Sequence, residues 1–147
     1  MQRSKKLAAA LAVVGMLLGP AAQAETIFTC SEPEGYQFFK EGPFVPKEKS
    51  GWSKSKINGG QFSFVINGTN QDLLYKDATG KIYSSVSEGA KVGLLTSNDT
   101  NAIVIVRYET GNTEIYNYDA IAKVLLWSQH KVGGIIQSAS LMKAKCD

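Results

Sequence analysis

The chain predicts an all-β fold: a single small antiparallel barrel or closed meander of about eight strands. Three observations point there. From Gln61 onward, short stretches with strand-type alternation or apolar runs recur at nearly even spacing, parted by clusters of Gly, Asn, Asp and Ser. No segment beyond residue 24 carries a helical apolar period. The chain has two cysteines, Cys30 and Cys146, which stand close to the two ends of the predicted domain.

Residues 1–24 read as a secretory signal peptide, and residues 25–147 as the domain. Arg3, Lys5 and Lys6 form a basic start, Leu7 to Gly19 an apolar run, and Ala22-Gln23-Ala24 a cleavage site before Glu25. The apolar run is too short to span a bilayer, and no lipoprotein-type cysteine follows it. The expected location is periplasmic or secreted, with no stable membrane anchor. Three of the 16 basic residues lie in this segment and none of the 13 acidic ones, so the formal charge of +3 disappears with it. A neutral domain offers no electrostatic footprint for nucleic acid.

An opening strand is expected around Thr26 to Cys30, extended through Tyr36 to Lys40. Gly42 to Gly60 is rich in Gly, Pro, Lys and Ser and reads as one long loop, with Phe44 and Trp52 as candidate contact residues or as plugs for the core. Gln61 to Ile66 alternates, with Phe62, Phe64 and Ile66 on one face. Asp72 to Lys76 and Lys81 to Ser85 are strands joined by the Asp77-Ala78-Thr79-Gly80 turn. Lys91 to Thr96 follows. Ala102 to Tyr108 is a continuous apolar run, expected to be covered on both faces. Gly111-Asn112 signals a two-residue hairpin into Thr113 to Tyr118. Lys123 to Gln129 and Ser138 to Cys146 complete the set.

In the last segment Ser140, Met142, Ala144 and Cys146 share a face, and in the first Phe28 and Cys30 do. Both cysteines therefore sit on the apolar side of their strands. Export favours a disulfide between them. Closing so long a loop stabilises a domain by roughly 4–5 kcal/mol in the chain-entropy treatment. If the first and last strands are neighbours, as closure demands, the two sulfurs meet.

Catalytic constellations are not apparent. His130 is the single histidine, which removes a zinc site built from histidines. It lies in a strand end running into a loop, beside Lys131, a poor setting for a general base. Glu32 and Glu34 are the closest pair among scattered carboxylates and read as a solvated strand end. There is no Gly-rich phosphate loop. The expectation is a monomeric, non-enzymatic binding protein without metal or cofactor.

The exported size, the opening Phe28-Thr29-Cys30, the closing Cys146 and the barrel-like strand run together resemble the periplasmic inhibitors of c-type lysozyme. Ala78-Thr79-Gly80-Lys81-Ile82-Tyr83 is similar to that family's Ser-Gly-x-x-Tyr hairpin, whose loop enters the lysozyme cleft. The resemblance puts Thr79 at the serine position and Tyr83 at the tyrosine, with Lys81 at the tip. The family's Trp-x-Lys-Gly segment has no match, Lys91 standing nearest. It implies a lysozyme-type protein partner. The residues alone leave two other readings: a calycin-like carrier with an apolar ligand among Phe62, Phe64, Leu94 and Tyr116, and a structural envelope protein.

Overall fold

The computed structural model describes residues 24–147. The expected signal peptide, apart from Ala24, lies outside the described residues. The domain is all-β. Its strands are β1 (Glu25–Phe39), β2 (Gly51–Lys56), β3 (Gln61–Asn67), β4 (Asn70–Lys76), β5 (Ile82–Ser84), β6 (Ala90–Ser97), β7 (Asn101–Tyr108), β8 (Thr113–Asp119), β9 (Val124–Lys131) and β10 (Ser138–Cys146). All pairings are antiparallel, in the order β5-β4-β3-β1-β10-β9-β8-β7-β6, with β2 added beside β1.

The described residues form ten strands against the expected eight or so; nine match the stretches named from the sequence, and β2 has no counterpart there. It falls inside Gly42 to Gly60, which is therefore not one loop. That stretch holds an isolated bridge between Gly42 and Val45, a 3-10 turn over Lys47–Lys49, and β2. Strand β2 alternates, but Trp52, Lys54 and Lys56 face one way and Ser53 and Ser55 the other, so neither side is apolar. Its lysines suit an edge strand, where charge discourages pairing with another chain.

Strand β1 serves both halves of the sheet. Glu25 to Ser31 pair with β3, while Glu34 to Phe39 pair with β2. The change of partner occurs at a bulge between Ser31 and Glu34. Pro33 lies in that bulge and has no N–H for a ladder, and Glu32 takes a positive φ of 54°. Glu32 is anchored there: its carboxylate accepts from the Gly59 N–H at 2.8 Å and pairs with Lys56 at 3.6 Å.

Strands β1 and β10 are neighbours, as the cysteine argument requires. Cys30 faces Cys146 in register, and the disulfide joins them across a sequence separation of 116. The Asp147 N–H donates to the Thr29 carbonyl at 3.2 Å. That bond places the cysteines at a non-hydrogen-bonded pair, where side chains approach most closely. Cys30 is fully buried, in a core with Phe28, Phe64, Leu73, Val104 and Leu125.

Two further expectations change. Strand β7 is buried on one face only: Ala102, Val104 and Val106 point to the core, while Ile103 and Ile105 are half-exposed. No layer of the described residues packs over its outer side. The β7–β8 connection is also longer than two residues, since β7 ends at Tyr108 and β8 begins at Thr113. The Tyr108 N–H donates to the Asn112 carbonyl at 2.9 Å.

The sheet curls until β4 and β6 approach, and the Leu94 N–H donates to Gln71 Oε1 at 2.8 Å across the gap. No backbone ladder joins β6 to β4 or β5 among the described residues. Strand β5 is too short to carry one, with three residues. Asp72 instead holds the following turn, accepting from Ser84 Oγ at 2.5 Å and the Val86 N–H at 3.1 Å. Ser85 is thereby tucked into the interior.

Candidate functional site

The β4–β5 hairpin brings Thr79, Lys81 and Tyr83 together. Its turn is closed by the Gly80 N–H to the Asp77 carbonyl at 3.0 Å and the Asp77 N–H to the Lys81 carbonyl at 3.1 Å. Gly80 has a φ of +86°, which an L side chain rarely adopts. Asp77 organises the tip from inside, as aspartate does in Asx turns. Its Oδ1 accepts from the Thr79 N–H at 2.8 Å, the Thr79 hydroxyl at 2.6 Å and the Lys81 N–H at 3.2 Å. These bonds, the Thr79 hydroxyl's foremost, hold the Asp77 carboxyl below the usual carboxylate range.

Beyond the turn the side chains form a stack. Lys81 Nζ sits 4.5 Å from the centre of the Tyr83 ring, a cation–π contact. Tyr83 lies parallel to Tyr75, its cross-strand neighbour, at 5.0 Å. The Tyr75 hydroxyl donates to Glu88 Oε2 at 2.6 Å. Burial, then Glu88, pushes the Tyr75 phenol well up, so it remains a donor. Thr79 and Lys81 are exposed while Tyr83 is half-buried. The tip thus offers two solvated groups on a backed base.

Beneath this hairpin a cavity of about 520 Å³ opens into the curled sheet, bordered by Tyr75, Lys76 and Asp77 at its rim. Phe62, Tyr108, Tyr116 and Trp127 supply aromatic wall. Phe62 packs against Trp127 at 4.9 Å and Tyr116 at 5.2 Å. Glu114 also lines it and is buried, at 7% exposure. Its two oxygens accept from the Tyr116 hydroxyl and from Gln129 Nε2. Burial, and then the Glu114 charge, pushes the Tyr116 phenol far up. Two buried atoms at this cavity, Trp127 Nε1 and Asn112 Oδ1, have no hydrogen-bond partner among the described residues.

Of the lining expected for an apolar ligand, Phe62 and Tyr116 border the cavity. Phe64 is fully buried in the core and Leu94 packs against that core. Glu114 and Gln129 escaped the sequence reading, although a signal was there. Glu114 lies two residues before Tyr116 and Gln129 two after Trp127, so strand alternation sends both inward with the aromatics.

Phe44 and Trp52 do not plug the core: they are 65% and 64% exposed. Within the same stretch Val45 is the buried residue. The Trp52 ring rests on Phe38, its neighbour across the β1–β2 pairing, at 5.5 Å. His130 is exposed, opposite Thr113 and Ala139.

Compared with known proteins, the chain matches no family model, no curated protein and no solved structure.

Proposed function

We propose that this is an exported, non-enzymatic and monomeric binding protein that inserts its β4–β5 hairpin into the cleft of a lysozyme-type partner. The observation that carries the reading is the tip held by Asp77, with Thr79 and Lys81 exposed on it and the Lys81 ammonium resting over the Tyr83 ring. A rigid tip loses little conformational freedom on docking. On this reading the curled sheet closes as the eight-stranded barrel of the inhibitor family, with β4 and β6 as its seam.

The donor inventory defines the roles. The Thr79 hydroxyl already donates its proton to Asp77, so outward it is an acceptor. Lys81 is a pure donor with a positive charge. Lysozyme-type sites hold one protonated carboxylic acid and one ionised carboxylate. Thr79 accepts from the former, and Lys81 pairs with the latter. In that step the Lys81 ammonium exchanges its contact with the Tyr83 ring for the carboxylate.

Lysis of bacterial cells by c-type lysozyme, followed as loss of turbidity, tests this. Micromolar mature domain is expected to slow lysis, and Thr79→Ala with Lys81→Ala to restore it. Lysis that proceeds unchanged, or slowing that survives both substitutions, removes the proposal.

A further inference from the structure

The cavity under the hairpin is not required by hairpin docking, and its chemistry points to a ligand of its own. We propose that it binds a neutral hydroxylated ring, of the chemistry of a mono- or disaccharide. The carrying observation is that two residues lining the same cavity carry buried, unpartnered atoms of opposite type, Trp127 Nε1 and Asn112 Oδ1. Trp127 is 6% exposed, so its N–H has little access to bulk solvent. An indole N–H only donates and an amide oxygen only accepts, whereas a hydroxyl does both. A ligand bearing several hydroxyls carries the acceptor that the one atom lacks and the donor that the other lacks.

The remaining groups narrow the class. An alkyl chain would leave Trp127 Nε1 and Asn112 Oδ1 unpaired and would press on the Glu114 charge, a strong basis for rejection. An organic anion would meet Asp77, Glu88 and Glu114 along the lining. An organic cation finds Lys76 and Lys131 on the same lining, and offers the Trp127 N–H no acceptor. Glu114 is fixed in place by Tyr116 and Gln129, and a carboxylate retains lone pairs for further hydroxyl donors. The aromatic wall suits the apolar C–H faces of a sugar ring. The volume of about 520 Å³ lies within the range of small-molecule sites.

The test is an NMR titration of the 15N-labelled mature domain with its disulfide intact. Its two indole N–H signals, Trp127 and Trp52, are told apart with Trp52→Phe. The probes are glucose, N-acetylglucosamine, maltose and chitobiose at tens of millimolar, with dodecanoate and choline as contrasts. At least one saccharide is expected to move the Trp127 indole signal saturably, together with the side-chain amides of Asn112 and Gln129, leaving Trp52 in place. Trp127→Phe and Glu114→Gln should each weaken that saccharide about tenfold or more. Should either variant misfold, the wild-type amide shifts decide alone. Saccharides that leave Trp127 unmoved, or dodecanoate or choline moving it where saccharides do not, overturn the proposal. So does unchanged affinity in both folded variants.

Discussion

Replacing Cys30 and Cys146 together by alanine tests how far the domain depends on its one covalent closure. The bridge spans a sequence separation of 116. Loop-closure entropy for that length amounts to about 5 kcal/mol at room temperature. Small domains have a net stability of about 5–15 kcal/mol, so the loss takes a large share. It corresponds to a fall in melting temperature of roughly 20 °C for a domain of this size. The assay is urea unfolding of the oxidised wild type and the double variant, followed by circular dichroism. The variant should lose several kcal/mol and show a steeper denaturant dependence, since its unfolded chain is free to expand. A loss below about 1 kcal/mol with an unchanged slope would refute the reasoning.

Three smaller perturbations address separate parts of the account. Gly35→Ala places a Cβ 2.2 Å from the Leu141 carbonyl oxygen, a backbone atom that cannot swing aside; unfolding should show a loss of about 1–3 kcal/mol. Asp77 is held below the ordinary carboxylate range by the Thr79 hydroxyl above all, so its contribution is complete above that range and is lost as pH falls through its own lower value. The protection of the Thr79 and Lys81 amides, their exchange measured against the intrinsic rate at each pH, should therefore fall in acid, and in Asp77→Asn at neutral pH, while protection at the core strand β9 does not. Phe44→Ala removes a side chain that is 65% exposed and should change stability by no more than about 0.5 kcal/mol.

The parts legible in the sequence are those where one physical signal acts alone. Strand β10 alternates cleanly between Ser140, Met142 and Ala144 inside and Lys143 and Lys145 outside, and its bounds match the expected Ser138 to Cys146. The cysteine pair follows from the same alternation combined with the pairing of β1 and β10. The β4–β5 turn follows from Asp77 and Gly80, whose roles are local. Strand β2 was hidden because pairing with β1, not an apolar face, makes it a strand. The two-sided use of β1 was hidden because the Glu32–Pro33 bulge draws on distant groups, Gly59 and Lys56. Ile103 and Ile105 show the opposite error, an apolar run that tertiary structure leaves half-uncovered. At the cavity, Glu114 could be assigned inward by alternation. The unpartnered states of Trp127 Nε1 and Asn112 Oδ1 depend on the packing of several strands at once and leave no local trace.

The proposed contact of the β4–β5 tip with a c-type lysozyme stands or falls on binding. Calorimetric titration of the mature domain into that enzyme measures this most directly. One-to-one binding is expected, weakened by tenfold or more in Lys81→Ala and recovered in Lys81→Arg. Heats no larger than dilution, or equal affinity in wild type and Lys81→Ala, would contradict it.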